Sequence, residues 1–315
     1  MTLILAMRTP AWCAIASDRM LSEPGGRTRK VNAVKIVQYF NDMIFGYTGI
    51  ARMMNPQGRV IDTALFLSEV LSCVGPRSVT KALEAVQANA KQSLDRLYKA
   101  HPSLPNQPLA FLGVGWERDE NDSSQISGSF AATISNFVSA DGTSLDQSNP
   151  SSDFYTIIER VPPRPPEIGS DKDFFSLSRI GCQQSAEEIQ TLVENTLKSL
   201  DARAAGIDIV DLMKQSIRAT SKRLKNKYVG ADVLAAILPK SAPLADYVAS
   251  IGPQGKVGVF FNNFPPGTEF TTSYDECPTF FRFHPGRDDA VYHAPHVVAT
   301  HFANFGCLVT AWLCV

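Results

Sequence analysis

Residues 2–7 and 12–17 are almost unbroken apolar runs on either side of a Thr9-Pro10 turn, the pattern of strands covered on both faces. After a Gly/Arg-rich loop, residues 31–40 and 43–47 read as a hairpin joined at Asn41-Asp42. The period then lengthens. Residues 59–73 are apolar at helical intervals. In 78–98, Val79, Leu83, Val86, Ala90, Leu94 and Leu97 recur every three or four positions, with Ser78 placed to cap the helix. Residues 109–116, 129–138 and 154–161 return to strand character. Between them lie polar loops, including an acidic run at 117–122, and the proline-rich stretch 162–166 that follows reads as a rigid loop. A second helical pair follows Cys182. Ser185 and Glu188 stand at capping-box spacing before Ile189, Leu192, Val193 and Leu197, and Asp208 opens a helix carrying Ile209, Leu212, Met213, Ile217 and Leu224. Residues 231–238 form a strand that Pro239 stops.

The order is strands, two helices, strands, two helices, strands. Helix pairs set apart from runs of strands predict an α+β layered sandwich rather than alternating βαβ units. From about residue 240 the texture changes to short β runs at 257–261, 280–283 and 297–302, broken by Pro and Gly. The chain therefore divides into a main domain, 1–240, and a β-rich C-terminal extension, 241–315.

Composition narrows the classes. The 315 residues are 44% hydrophobic and 19% charged, ordinary for a folded soluble protein, and the net charge of −1 gives no reason to expect a nucleic-acid partner. No apolar stretch approaches the ~20 residues that span a bilayer. Residues 1–17 are apolar and Ala14-Ile15-Ala16 imitates a leader cleavage site. A basic n-region is missing, however, and Arg8 and Pro10 interrupt the segment, so it reads as part of the fold. Six cysteines without a CxxC pair point to reduced thiols and a cytoplasmic location, with neither zinc nor a disulfide framework. His293, His296 and His301 fit no standard metal spacing.

Three groups near the N-terminus carry candidate chemistry. Thr2 follows the initiator Met1, and a small second residue lets an aminopeptidase expose it. A free N-terminal threonine holds a hydroxyl nucleophile and, in its α-amine of pKa about 7.7–8.0, a base. Asp18 closes an apolar strand and is followed by Arg19. Lys35 sits in Val34-Lys35-Ile36-Val37, an awkward place for a charge without a partner. Blander readings exist for each: a second residue of no consequence, a strand-end turn former, an edge lysine facing water.

The segments TLILAMRTPAWCAIASDRM and KIVQYFNDMIFGYTGIA resemble the start of a proteasome β-subunit or of its bacterial relatives. In that family a threonine opens the mature chain, an aspartate closes the second strand, a lysine opens the third, and a glycine turn ends the fourth. Thr2 to Asp18 and Lys35 to Gly49 match the family's separations, and Asp18 to Lys35 is one residue longer. Further on, Arg179-Ile180-Gly181-Cys182 resembles the turn before the third helix, and Asn226-Lys227-Tyr228-Val229-Gly230 the family's "D-x-Y-S-G" loop. Cysteine replaces serine at 182, asparagine replaces aspartate at 226, and valine replaces serine at 229. The resemblance implies a four-layer αββα sandwich of the N-terminal-nucleophile hydrolase type. It implies a threonine amidohydrolase acting on peptide or other amide bonds, with Thr2, Asp18, Lys35 and Gly49 at the centre, Arg19, Cys182 and Asn226 accessory, and no cofactor. With the long stripe at 79–97 it also implies self-association into a ring. The three replacements keep a second reading open, a catalytically inactive scaffold or ring subunit.

Overall fold

The computed structural model describes residues 2–22, 28–30, 33–39, 42–74, 78–102, 106–119, 125–137, 150–161, 176–201, 206–225 and 227–240, with five short strands between 247 and 310. The chain opens with β1 (Leu3–Arg8) and β2 (Trp12–Asp18), then two short ribbons, β3 (Leu21–Ser22) with β4 (Thr28–Lys30) and, after β5 (Ile36–Tyr39) and β6 (Met43–Thr48), β7 (Arg52–Met54) with β8 (Val60–Asp62). Helices α1 (Thr63–Ser72) and α2 (Val79–Ala100) follow, then β9 (Ala110–Arg118), β10 (Ile126–Ser135), β11 (Tyr155–Val161) and β12 (Ser176–Gly181). Helices α3 (Ala186–Asp201) and α4 (Gly206–Arg223) lead into β13 (Val233–Pro239). Beyond it lie β14 (Tyr247–Ile251), β15 (Val257–Phe261), β16 (Glu269–Tyr274), β17 (Cys277–Arg282) and β18 (Val309–Thr310).

The pairings among these strands are antiparallel, and they build two large sheets. The first runs β12-β1-β2-β13-β16-β17, with β18 also on β16; the second runs β11-β10-β9-β6-β5-β14-β15. Strands beyond residue 240 are thus added to both sheets, β14 beside β5 and β16 beside β13.

Side-chain alternation explains why β1 and β2 read as continuous apolar runs. Leu3, Leu5 and Met7, with Ala14 and Ala16, join Ile209, Met213 and Ile217 of α4 in one apolar cluster. The intervening Ile4, Ala6 and Ile15 are buried as well, and β1 and β2 lie against β6 and β9 of the second sheet. On the other side, Phe45, Phe111 and Phe130 pack with Phe66 and Leu67 of α1 and with Val86, Ala90 and Leu94 of α2. Each such side chain contributes about 1.5–3 kcal/mol on burial. Polar clips link the two sheets: Arg8 of β1 donates to Glu159 O at 2.8 Å, and Trp116 Nε1 to Leu238 O at 3.2 Å.

Three expectations from the sequence change here. The stripe Val79-Leu83-Val86-Ala90-Leu94 is spent inside the chain against the second sheet, so it offers no surface to another copy. Of the strand expected over 31–40, the structure describes 33–39, and β5 starts at Ile36: Lys35 O still accepts from Tyr47 N of β6 at 3.1 Å, whereas Ala33 N turns to Arg19 O at 2.8 Å beside the end of β2. The capping box at Ser185 and Glu188 is not made: Ser185 Oγ donates to Cys182 O, and the Glu188 carboxylate pairs with Arg223. Ser78 does cap α2, accepting from Lys81 N. The strand expected at 297–302 lies outside the described residues.

Candidate active site

The site forms where the ends of the two sheets meet. Thr2 precedes β1 and Asp18 ends β2, both in the first sheet, while Lys35 immediately precedes β5 in the second. All three are buried; Thr2 is 5% exposed, Lys35 1% and Asp18 0%.

Lys35 Nζ donates to Thr2 Oγ1 at 2.6 Å, to Asp18 Oδ2 at 3.2 Å and to Met20 O at 2.5 Å. An ammonium has three N–H donors, and here each has an acceptor. Asp18 is held as firmly. Its Oδ1 accepts from Leu3 N at 2.8 Å, and its Oδ2 from Met20 N and Gly230 N, both at 3.1 Å. Three backbone amides and one ammonium therefore converge on one buried carboxylate, which fixes its rotamer. Burial pulls the Lys35 ammonium below its ordinary pKa of 10.5, and the charge and hydrogen bond of Asp18 offset part of that pull.

Thr2 is also pinned through its main chain. Its carbonyl accepts from Cys182 N at 2.8 Å, just past the end of β12. Gly181 has φ +95°, and a Cβ there would lie 1.8 Å from Thr2 O, so only glycine permits this approach. The same imagined Cβ would lie 3.3 Å from Thr48 Oγ1, so the side chain at the end of β6 also closes on this turn. Gly49 has φ +103°, and a Cβ on it would meet Pro108 O at 1.9 Å.

The accessory candidates divide. Arg19 is buried, and its guanidinium pairs with Asp232 at 3.0 Å. Cys182 serves Thr2 through its amide, while its side chain belongs to the apolar cluster beneath α3 and α4. Burial pushes that thiol up in pKa, against a smaller opposing contribution from the Gln184 backbone hydrogen bond. Val229 lies in the same cluster, and Asn226 is outside the described residues.

No family model matches the chain, and no curated protein does. Solved structures similar to it are proteasome-like. Anbu (ancestral beta-subunit) from Yersinia bercovieri is 13% identical, with a TM-score of 0.42 over 75% of this chain and 81% of that one. The helical assembly of the Anbu complex from Pseudomonas aeruginosa is 12% identical, with a TM-score of 0.44 over 76% of this chain and 82% of that one. Thiobacillus denitrificans BPH in complex with epoxomicin is 14% identical, with a TM-score of 0.41 over 76% and 99%.

The sequence missed Met20, whose carbonyl takes one Lys35 proton, and Asp232, which pairs with Arg19. Met20 acts through its backbone, so its residue type carries no signal. Among the described residues, no cluster of His, Cys, Asp and Glu is arranged to hold a metal, and no helix is long and apolar enough to cross a membrane. His293, His296 and His301 lie outside those residues.

Proposed function

We propose that this chain is a threonine-type N-terminal-nucleophile amidohydrolase, acting on peptide or other amide bonds through Thr2 once Met1 is removed. The observation that supports it best is the 2.6 Å contact between Lys35 Nζ and Thr2 Oγ1, inside a fully partnered ammonium site. An ammonium so placed has no lone pair to offer as a base. It stabilises negative charge developing on Oγ1 and, as a nearby cation, lowers the pKa of the Thr2 α-amine. The freed amine, directly or through a water, then takes the hydroxyl proton as Oγ1 attacks the carbonyl carbon. The tetrahedral oxyanion would be met by the Gly49 N–H, a donor of the kind worth about 3 kcal/mol. Collapse expels the amine leaving group with a proton returned by the α-amine, and water hydrolyses the Thr2 ester.

The packing supports the same reading: α1 and α2 lie on one sheet and α3 and α4 on the other, the arrangement expected of the αββα sandwich proposed here. A ring of copies in the cytoplasm belongs to the proposal too. The second reading, an inactive ring subunit, is favoured by Cys182 and Val229, which lie in an apolar cluster at positions where the resembled family carries serines.

Intact-mass measurement and an amide-hydrolysis assay test the choice together. Loss of Met1, with turnover that Thr2→Ala abolishes while the circular dichroism spectrum is kept, is the expected result. Retention of Met1 or unchanged turnover in Thr2→Ala would overturn the threonine mechanism.

A further inference from the structure

The segment from Gly230 to Val233 runs beneath the site and is fastened to it at successive residues. Gly230 N donates to Asp18 Oδ2, and Val233 stands opposite Asp18 in the β2–β13 ladder. Between them, Asp232 holds Arg19 twice: Asp232 O accepts from Arg19 N at 2.9 Å, and Asp232 Oδ2 from Arg19 NH1 at 3.0 Å. The Arg19 side chain is 1% exposed and that of Asp232 40%. Arg19 O in turn receives Ala33 N, two residues before Lys35, and the next carbonyl, Met20 O, receives Lys35 Nζ.

An ion pair with one exposed partner adds little stability by itself. Its effect here is geometric. A guanidinium is always charged, and this buried one, whose own main chain bonds to Asp232 O and Ala33 N, passes a change at its ion pair to the 18–20 turn. We propose that Asp232, through its ion pair with Arg19, is a positioning residue that sets the Met20 carbonyl against the Lys35 ammonium. Its consequence for the nucleophile rests on the threonine mechanism proposed above; its consequence for Lys35 does not.

The charged group that meets Lys35 Nζ is Asp18 of β2, joined by the Thr2 amine once Met1 is gone; nearby, Arg19 of the turn pairs with Asp232, and Tyr47 of β6 donates its hydroxyl to Val34 O, next to Lys35. Asp232→Asn keeps the main-chain bond from Arg19 N to Asp232 O and removes the carboxylate charge that the Arg19 guanidinium meets. The titration of Lys35 is followed by NMR in the full chain labelled at lysine, with its signal assigned by its loss in Lys35→Met. Asp232→Asn lowers the Lys35 midpoint by about one pH unit, since an acceptor of the charged form is lost. Asp232→Glu, which keeps the charge, restores it to within a few tenths. Arg19→Lys, which offers a compact ammonium in place of the fork, lowers it by an intermediate amount and serves if Asp232→Asn does not fold. A second arm uses a peptide epoxyketone, whose ketone accepts the hydroxyl and whose epoxide is opened by the amine of an N-terminal threonine. Its maximal rate of modification falls about tenfold in Asp232→Asn, the loss expected if about 1.4 kcal/mol of transition-state stabilisation goes, with half-saturation unchanged. A lowered melting temperature with an unmoved Lys35 midpoint overturns the positioning role and leaves a merely structural one. If the wild type resists the epoxyketone, the threonine mechanism falls, while the Lys35 titration still decides the role of Asp232.

Discussion

Asp18 and Lys35 are buried partners of unequal independence, and substituting each should show it. In Asp18→Asn the amide presents one oxygen and one NH₂ to a shell of four donors: Leu3 N, Met20 N, Gly230 N and Lys35 Nζ. Whichever way the amide turns, an N–H faces an N–H, and the ammonium loses its counter-charge. Breaking a buried pair in this way costs about 3–5 kcal/mol, a large part of the roughly 5–15 kcal/mol that holds a domain folded. At about 2–4 °C per kcal/mol the melting temperature should fall by roughly 10 °C. Lys35→Met costs less, about 1–3 kcal/mol, because the Asp18 carboxylate keeps its three backbone amides. The double variant buries neither charge, so its loss should fall short of the sum of the single losses by about 2 kcal/mol. Urea unfolding of the four proteins at pH 7 reads all three quantities, and moderate salt should leave the coupling in place because the pair is shielded from solvent. Additivity within about 0.5 kcal/mol would refute the coupling, and with it the site as drawn.

Three further outcomes are expected. Turnover should fall on the alkaline side as Lys35 loses its proton, with a midpoint below 10.5 that moves lower still in Asp18→Asn. Between that midpoint and 10.5 the unfolded chain binds more protons than the folded one, so the Lys35 contribution to stability rises with pH while activity falls; a pH–rate profile flat to pH 10.5 contradicts this. Gly181→Ala should cost activity by roughly 10²-fold or more, because the methyl displaces Thr2 O and strains a backbone at φ +95°; wild-type rates in this variant would show that the approach is not required. Light scattering at micromolar concentration should report an assembly well above the 34.4 kDa chain, and a monomer there removes the ring.

Much of the frame was legible because it rests on side-chain period. The doubly buried β1 and β2 read as unbroken apolar runs, and α2 as a stripe at three- and four-residue spacing, since burial on two faces or on one leaves those signatures. Thr2, Asp18 and Lys35 could be picked out for different reasons: Thr2 follows Met1 and unites a hydroxyl with an amine, Asp18 ends an apolar strand, and Lys35 lies within an apolar run where a charge needs a partner. The start of β5 was not legible. Its departure from the ladder depends on a main-chain bond, Ala33 N to Arg19 O, between residues far apart in sequence, and backbone groups are the same in every residue.

That limit also changes the weight of the replaced positions. Read as residue types, cysteine at 182 and valine at 229 are two lost hydroxyls. In the fold, both stretches also act through their main chains, and those contacts are intact: Cys182 N holds Thr2 O, Ser221 Oγ holds Val229 O, and the next residue, Gly230, gives its N–H to Asp18. A side-chain replacement leaves such bonds untouched provided the new side chain packs, and Cys182 and Val229 do pack, in the cluster shared with Leu192 and Ile217. Cysteine at 182 and valine at 229 are therefore compatible with the main-chain contacts that hold Thr2 and Asp18. The mass of the mature N-terminus and the rate of its reaction, more than the residue types in these two stretches, separate a hydrolase from an inert subunit.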